Sequence, residues 1–371
     1  MSDVFIITTH PLVVTAVDPL VDHRDEVWRY DLLDNTDAVV GQLEGVEEGG
    51  RLEFSVHNTI RSSGSIPITG PEVVDIDWDA HRIAPWYSLN GGVTWEPWGI
   101  YLPTTPEVEW VDGEPSATID LFDKLAIPSR NKVAASYAVD AGDNPITEAF
   151  TVLGLSGAHR VVAEPTTETL SVPMVWDPQT TQLRIINDLR AAANYFSLWV
   201  DHDGAFRLDP YVRPQDRGTA FTFRSGVSSI HEGRIRRRQD TFDIPNRVTL
   251  TGPSDGETPA LTSAPATDND PNSDFSFDTR GYWVDHTETV EATSQSVLDA
   301  LAARRLIELQ SPSASLTIRH APLPLSRLPL NSVVRLVDRP SGIDKRGVLQ
   351  SFTVTMATGA LVESKLVEVA W

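Results

Sequence analysis

The chain has 371 residues and no cysteine, with 52 acidic side chains against 30 basic ones and a formal net charge of -22. At roughly 150 residues per domain, this length predicts two or three domains. Hydrophobic residues at 40% and charged residues at 22% indicate a folded globular protein. The missing cysteines exclude disulfides, thiolate zinc sites and a cysteine nucleophile. A field this negative repels phosphate backbones, so we expect no sequence-specific DNA binding.

No apolar stretch reaches the roughly 18 residues that a membrane-spanning helix needs, so no membrane span is expected. The N-terminal residues Met1-Ser2-Asp3-Val4 lack the basic segment of a signal peptide. We therefore expect a protein that is made and kept in a cytosol, or that is released by lysis.

Alternation of apolar and polar residues dominates the first 125 residues, as expected for strands with one buried face. It covers three segments, residues 52–57, 74–79 and 117–121. A tight hairpin turn is predicted at residues 89–93, which contain Gly91-Gly92, with residues 95–101 as the returning strand. Residues 1–125 are therefore predicted to form an all-β unit.

Helix signals appear after residue 125. Asn144 followed by Pro145 predicts an N-capped helix that stops at Gly154. Its apolar stripe consists of Ile146, Ala149, Phe150 and Leu153. A second helix of about 16 residues is predicted to begin at Asp177-Pro178, because the same signal recurs there.

A hairpin is predicted after the second helix. Apolar residues over 196–200 and 206–208 flank the polar segment Asp201-His202-Asp203-Gly204. That segment could supply clustered ligands, but an Asp-Gly pair between two alternating strands is a strong hairpin signal, so we favour a turn. Residues 126–235 are predicted to form an α+β domain.

The β pattern resumes at residues 246–250 and continues to the end of the chain. Residues 253–276 are rich in Pro, Ser, Thr, Asp and Gly, which predicts a long, mobile loop. A helix is predicted from Thr293 or Ser294 to Leu309, with one apolar face. The strands that follow are predicted at residues 315–319, 332–337, 347–355 and 361–369, the last two forming a terminal hairpin that turns at Thr358-Gly359.

The order of these segments resembles the tail hub, or minor tail, proteins of long-tailed bacterial viruses, which are related to the baseplate hub of contractile tails. Residues 30–34, 40–46, 50–56, 59–61 and 64–65 resemble the opening strands, loop and Gly-Ser turn of that family. Residues 176–371 resemble its remaining order of capped helix, Asp-Gly hairpin, Asn-Arg-Val strand, short helix and terminal hairpin. The likeness spans nearly the whole chain.

The resemblance implies a fold class that is mainly β with α+β insertions, consisting of two related β-barrel domains plus small α+β domains in a hub-like arrangement. The expected division is an N-terminal β-barrel over residues 1–125 and an α+β domain over residues 126–235. Residues 236–371 are expected to form the second β-barrel, with a strand-helix-strand insertion at about residues 282–320.

The resemblance also implies a function. Such proteins form a homotrimeric hub at the tail tip of the virion, which joins the sixfold tail tube to threefold tip components and encloses the channel through which the genome leaves. The implied partners are a second and third copy of the chain, the tail tube or distal tail protein, the tape measure protein, and receptor-binding or fibre proteins. DNA would touch the hub only in transit during genome ejection, and assembly would take place in the host cytoplasm.

Three carboxylates on the segment 74–79 are the first candidates for chemistry. Asp75, Asp77 and Asp79 could act as acid/base groups or as cation ligands, because they would share one strand face. Alternating charges opposite an apolar face are more typical of a solvated sheet surface, which is the interpretation we favour.

Calcium binding is the second candidate. Oxygen ligands are spaced as at positions 1, 3, 5 and 7 of an EF-hand loop by Asp268, Asp270, Asn272 and Asp274. Ser273 stands where that loop requires glycine, and Thr279 stands where it requires a bidentate glutamate. We favour a polar loop, with weak incidental calcium binding as the alternative.

Two further motifs have structural interpretations. The segment Gly154-Leu155-Ser156-Gly157-Ala158 lacks the final glycine and the preceding strand of a nucleophile elbow, so Ser156 is expected in a helix-end turn. The basic run of Arg234 and residues 236–238 could contact nucleic acid. No aromatic residue is interleaved with it, and we favour ion pairs between subunits or domains.

A carbohydrate-binding or glycoside-hydrolysing β-protein of a tail tip is the alternative function. In that hypothesis Trp95, Trp98 and Tyr101 stack on a sugar and a carboxylate pair cleaves the glycosidic bond. No carboxylate pair stands out from the acidic background, so the sequence favours a structural protein. We expect no enzymatic activity, no catalytic residue, no cofactor and no metal site.

Overall fold

The computed structural model describes residues 24–170, 172–238, 241–252, 262–290, 295–310 and 314–369. The chain divides into two compact units, a larger unit of Met1–Ile235 with Thr317–Trp371 and a smaller unit of Arg236–Leu316. Within the described residues, no helix combines the length and the apolar character needed to cross a membrane.

The first part of the larger unit is rich in strands. Its elements are β1 (Val27–Leu33), β2 (Val39–Gln42), β3 (Gly50–Ser55), β4 (Ser62–Thr69), α1 (Glu72–Asp75), β5 (Arg82–Ser88), β6 (Glu96–Pro97), β7 (Tyr101–Pro103), β8 (Glu109–Val111), β9 (Glu114–Asp123) and α2 (Ala126–Arg130). Alternate side chains are buried along β3 and over the second half of β9, because successive residues point to opposite faces of a sheet. The strands predicted at residues 52–57 and 117–121 are confirmed.

The strand predicted at residues 74–79 is wrong. The structure has the short helix α1 there, followed by a bend at Asp77. Trp78 is buried and its Nε1 donates to the Val73 carbonyl at 3.1 Å, whereas Val74 is half exposed. A hydrogen bond to a carbonyl five positions earlier requires the chain to fold back on itself. The alternation of apolar and polar residues over 74–79 therefore does not reflect an extended β-strand.

A turn is present at residues 90–93, where the Val93 N–H donates to the Asn90 carbonyl, but the connection is longer than the predicted tight hairpin because Tyr87 pairs with Glu96. The returning strand is also interrupted. β6 pairs with β5, and β7 begins only at Tyr101. Between them Gly99 has φ +103°, a conformation that glycine adopts at little cost. The bend turns Trp98 inward, where it is 1% exposed and its backbone N–H donates to the Pro85 carbonyl.

The second part of the larger unit mixes helices and short strands. Its elements are β10 (Tyr137–Val139), α3 (Pro145–Leu155), β11 (Val161–Ala163), β12 (Met174–Trp176), α4 (Gln182–Ala192), β13 (Trp199–Val200), β14 (Phe206–Leu208), a 3₁₀ turn (Pro214–Asp216) and β15 (Thr219–Arg224). Asn144 caps α3 as predicted, since its Oδ1 accepts from the N–H groups of Ile146 and Thr147. Helices α3 and α4 share one apolar core with β13 and β14.

The start predicted for the second helix is wrong. α4 begins at Gln182, and its N-cap is Thr181, whose Oγ1 accepts from the N–H of Arg184. The Asp177 carbonyl instead accepts from the N–H and Oγ1 of Thr180. This turn uses the residues that the Asp-Pro signal assigned to the helix, so the helix has 11 residues.

The C-terminal strands complete the sheet of the larger unit. They are β20 (Ser315–His320), β21 (Val333–Asp338), β22 (Ile343–Met356) and β23 (Val362–Glu368), after four strands of the smaller unit given below. The sheet runs in the order β20-β23-β22-β3-β4-β9-β7-β5-β1-β2, with β21 beside β22 and β15 beside β21. The terminal hairpin of β22 and β23 is confirmed, and β22 also pairs with β3.

The smaller unit has its own core. Its elements are β16 (Arg236–Arg238), β17 (Arg247–Thr251), β18 (Ala266–Thr267), α5 (Phe277–Arg280), β19 (Asp285–Thr289) and α6 (Gln295–Leu309). β17 pairs with β18 in the antiparallel and with β19 in the parallel direction. The predicted apolar face of α6 is confirmed, since Leu298, Ala302 and Leu306 are buried against β17. The predicted starts at Thr293 and Ser294 lie outside the described residues.

Residues 262–276 of the predicted loop are mostly irregular, as expected, apart from the two-residue strand β18, and hydrogen bonds hold them to the smaller unit. Ser263 is buried, and its Oγ accepts from the Leu250 N–H at 2.9 Å. Further on, the Asp268 N–H donates to the Asn246 carbonyl, and Asn246 Nδ2 donates to the carbonyl of Phe275. Polar composition does not prevent order where buried hydrogen bonds satisfy the chain. Residues 253–261 lie outside the described residues.

The predicted fold class, mainly β with small α+β parts, is confirmed. The domain boundaries at residues 125 and 235, the two β-barrels that they define and the insertion at about residues 282–320 stay predictions.

The pairing of β3 with β22 generates a stability prediction. Phe54 and Phe352 lie directly opposite each other on the paired strands, and their stacked rings have centres 4.3 Å apart. Because both are buried, Phe352→Ala should lower the free energy of unfolding by about 3–5 kcal/mol. Urea denaturation measures this, with Phe150→Ala as control, since Phe150 is 38% exposed. A loss no greater than that of the control would contradict the assignment.

Candidate functional site

A buried ion cluster lies beneath the turn between β1 and β2. The Asp37 carboxylate accepts from Lys124 Nζ at 2.6 Å and from the Arg82 guanidinium. The side chains of Asp37 and Lys124 are 2% and 1% exposed. Burial lowers the pKa of Lys124, and the Asp37 charge opposes that shift. The cluster ties β1, β5 and β9 together at one point.

Lys124 also fixes the hairpin of β13 and β14. Its Nζ donates to the Gly204 carbonyl at 2.8 Å and lies 5.4 Å from the centre of the Phe206 ring. Gly204 has φ +77°, and a Cβ there would lie 2.6 Å from Ile100 Cδ1. The hairpin tip therefore needs glycine both for its conformation and for its close approach.

The turn predicted at residues 201–204 is confirmed. Asp201 Oδ1 accepts from the N–H groups of Asp203 and Ala205, so this carboxylate stabilises the turn. His202 lies 3.4 Å from the Asp203 carboxylate at the surface. Residues 201–204 therefore form the tip of the β13–β14 hairpin and not a ligand site.

A cavity of about 260 Å³ lies in the larger unit between the β sheet and the β13–β14 hairpin. Its walls include Asp123 and Arg61 among aromatic and aliphatic side chains. Burial raises the pKa of Asp123 to about 7, although the N–H groups of Ser62 and Leu125 donate to its two oxygens. Burial lowers the pKa of Arg61, whose NH2 group donates to the Ser197 carbonyl. Neither residue was singled out as a candidate in the sequence, because no local motif marks Asp123 at the end of β9 or Arg61 in the polar segment before β4.

A Ser-His-Asp grouping also escaped the sequence analysis. Ser229 Oγ lies 3.0 Å from His231 Nδ1, and His231 Nε2 lies 3.8 Å from Asp338 Oδ1. The Ser229 hydroxyl donates to the His231 carbonyl and accepts from the His231 N–H, which is a local turn. Burial lowers the pKa of His231. With the hydroxyl engaged by backbone and the imidazole 3.8 Å from the carboxylate, the geometry is that of a buried polar contact.

The aspartates predicted on one strand face do not form a site. Asp75 ends α1, while Asp77 Oδ1 accepts from the Asp79 N–H in the following bend. All three are exposed. Across the described ranges, no group of three His, Asp or Glu residues is placed to hold a metal ion.

The EF-hand-like segment is a series of side-chain-capped turns. Asp268 Oδ1 accepts from the Asp270 N–H, and Asp270 Oδ1 accepts from the Asn272 N–H. The second Asp268 oxygen accepts from Ser273 Oγ and from Gln310 Nε2. Both Asp268 oxygens and one Asp270 oxygen therefore accept hydrogen bonds from the chain, which supports the interpretation as a polar turn.

The remaining sequence candidates have structural positions. Ser156 caps the end of α3, with its Oγ 2.5 Å from Gln182 Oε1. Trp98 and Tyr101 are each 1% exposed, so they cannot stack on a sugar. Trp95 lies under the Arg29 guanidinium, 4.6 Å from ring centre to Cζ. The basic run consists of the three arginines of β16 and of Arg234, which precedes that strand.

The chain resembles solved tail proteins in fold. It matches a tail protein from Neisseria meningitidis MC58 with a TM-score of 0.61 and 13% identity, over 92% of this chain and 96% of that one. It matches the 43 kDa tail protein of prophage MuSo2 from Shewanella oneidensis with a TM-score of 0.62 and 12% identity, over 92% and 98%. A chain of the Francisella PdpA-VgrG complex matches with a TM-score of 0.57 and 8% identity, over 95% and 53%.

The chain has the fold of phage tail proteins. The resemblance read from the order of segments is thereby confirmed at the level of the fold. Neither a protein-family model nor a curated protein matches the sequence. At identities of 8–13%, side chains diverge while the backbone arrangement is retained.

The ion cluster generates a prediction about stability. Asp37→Asn removes the partner of a buried ammonium, so the free energy of unfolding should fall by about 3–5 kcal/mol. The control is Glu53→Gln, which breaks the exposed Arg51–Glu53 pair and should cost less than about 1 kcal/mol. Urea denaturation of both variants checks this. Equal losses would show that the cluster does not hold the unit together.

Asp123 generates a prediction about pH. The folded pKa of about 7 lies above the reference value of 3.8, so the folded chain keeps a proton that the unfolded chain releases between those values. This contribution is fully present below pH 3.8 and is lost as pH rises through about 7. The free energy of unfolding of the wild-type chain, relative to that of Asp123→Asn, should therefore fall by on the order of 4 kcal/mol as the pH rises from about 4 to about 8.

Urea denaturation between about pH 4 and pH 8 measures the effect. Asp75→Asn removes one exposed carboxylate and is the matched control, whose pH dependence should follow the wild-type chain. Parallel stability curves for the wild-type chain and Asp123→Asn would contradict the assignment.

Proposed function

We propose that this chain is a structural hub of a phage tail, forming a homotrimer at the tail tip. The observation that carries the proposal is the likeness to two tail proteins over 92% of this chain and nearly the whole of each of them. A match that includes both compact units supports a shared role better than a match of one small domain would.

The charge supports a channel-forming role. Three copies carry three times the formal charge of -22, or -66, before counterions are considered. An acidic lumen repels phosphates, so DNA in transit would slide without sticking. In this proposal the ring joins the tail tube or distal tail protein to threefold tip components, and it neighbours the tape measure protein and the receptor-binding or fibre proteins.

We also propose that the hub has no enzymatic activity. The buried Asp123 accepts two backbone hydrogen bonds, the Ser229 hydroxyl is engaged by backbone, and the Asp268 oxygens are occupied by neighbouring donors. These contacts support a fold in which polar groups stabilise turns. The carbohydrate alternative loses support because two of its three stacking residues are buried.

Mass measurement and imaging test the proposal. The purified chain should reach three times its subunit mass at high concentration, and a label on the chain should appear at the tail tip of the particle. A label distributed along the tube or on the capsid would overturn the assignment. Release of sugars or peptides from cell-wall material, abolished by a single Asp or Glu substitution, would overturn the absence of activity.

A further inference from the structure

The cavity between the β sheet and the β13–β14 hairpin is lined by residues of the larger unit. Its walls come from β3, the bend before β7, the end of β9, the hairpin itself and the connection between β20 and β21. Apolar side chains form much of these walls, namely Phe54, Ile100, Phe196, Trp199, Leu325 and Leu330. An apolar cavity of about 150 Å³ holds benzene, so a volume of about 260 Å³ suits an apolar body of roughly ten non-hydrogen atoms.

Arg61 and Arg217 both line this cavity, and neither has an acidic partner. Within the described residues, neither guanidinium forms an ion pair with an Asp or Glu side chain. Arg217 donates to the Val212 carbonyl and to both oxygens of Asn331. A guanidinium fork carries several N–H donors, and the side chain of Arg61 makes a single hydrogen bond, from its NH2 group to the Ser197 carbonyl at 3.3 Å. Arg61 therefore has donors to spare.

The carboxylates at the cavity already have hydrogen-bond donors. Both Asp123 oxygens accept from backbone N–H groups, and burial raises the pKa of this carboxyl to about 7, which favours its uncharged form at lower pH. Asp209 accepts from Trp199 Nε1 and from the Arg207 guanidinium. Asp201 Oδ1 accepts from two N–H groups of its own turn. Spare donors beside satisfied acceptors favour an anion over a cation as the ligand.

A partly buried arginine can also serve the fold alone. That explanation accounts for Arg217, whose Cζ lies 4.9 Å from the centre of the Phe196 ring and 5.7 Å from that of Tyr211. It accounts poorly for Arg61, because one hydrogen bond leaves most of the fork unused while burial lowers the pKa of the group. Removing a charge from water without a counter-ion costs free energy, and a bound anion would offset that cost.

We propose that this cavity binds a small carboxylic acid with an apolar body, and that the carboxylate of this ligand pairs with Arg61. Guanidinium and carboxylate groups can form two parallel N–H···O bonds, which would fix the orientation of the acid. The apolar body would lie against side chains such as Phe54, Ile100 and Trp199. The site goes beyond the structural role of the hub and does not depend on the proposed homotrimer, because one copy of the larger unit supplies all of these residues.

Isothermal titration calorimetry of the full chain with octanoate tests the site. At about pH 6 octanoate is ionised, while Asp123 keeps most of its proton. Octanamide is the matched neutral ligand of the same size and should bind at least about tenfold more weakly than octanoate. Phenylpropanoate and phenylpropanamide test an aromatic body in the same way. Binding of neither acid, or equal binding of the acids and their amides, would overturn the proposal.

Variants of Arg61 test the position of the carboxylate. Arg61→Gln removes the charge and keeps a hydrogen-bond donor, so octanoate should bind at least about tenfold more weakly while octanamide changes by less than about twofold. Arg61→Lys keeps the charge and should retain more affinity for octanoate than Arg61→Gln does. Arg213→Gln changes an exposed arginine and is the matched control, which should bind octanoate as the wild-type chain does.

A substitution that fills the cavity tests the position of the apolar body. Leu330 lines the cavity from an irregular connection, so Leu330→Trp should weaken the binding of octanoate and octanamide alike. Circular dichroism of each variant confirms that the fold is intact. Octanoate affinity that is unchanged in both Arg61→Gln and Leu330→Trp would place the acid elsewhere and overturn the proposal.

The outcomes separate the acid site from the hub. A wild-type chain that assembles at the tail tip and binds neither acid would leave the hub in place and overturn the acid site. A chain that binds octanoate through Arg61 and stays monomeric at every concentration would support the acid site and overturn the trimer.

Discussion

The antiparallel pairing of β3 with β22 is the interaction on which the larger unit depends. It joins residues 50–55 to residues 351–356, so strands from the N-terminal and C-terminal parts of the chain lie side by side in one sheet. The stacked rings of Phe54 and Phe352 lie in this ladder, and the ring centres of Trp98 and Phe54 are 6.1 Å apart. Because β22 also pairs with β21 and β23, loss of this contact would separate the C-terminal strands from the N-terminal ones.

Buried polar groups link separate elements of the larger unit through hydrogen bonds and ion pairs. Lys124 connects the turn that contains Asp37 to the hairpin tip at Gly204. Asp123, its chain neighbour, holds the N–H groups of Ser62 and Leu125. Two adjacent residues at the end of β9 thus anchor strands, a helix and a hairpin. Such groups look catalytic when judged by burial alone, but their partners are backbone atoms and fixed charges.

The candidate site was less predictable than the fold. The Asp-Gly turn at Asp203-Gly204 was visible, since an Asp-Gly pair between strands has a local cause. The same signal at Asp112-Gly113 marks the β8–β9 hairpin and could have been found in the same way. The cluster of Asp37, Lys124 and Arg82 could not, because its members are 42–87 positions apart and no local pattern relates them.

The sequence by itself determined the features that neighbouring residues decide. These include the cap at Asn144, the alternation along β3, the apolar face of α6 and the order of elements that resembles tail proteins. Only the tertiary structure decided that residues 72–75 form a helix, that residues 262–276 are held by buried hydrogen bonds and that β3 meets β22. The physical reason is that local backbone preferences act within a few residues, whereas burial and strand pairing depend on partners that are distant in the chain.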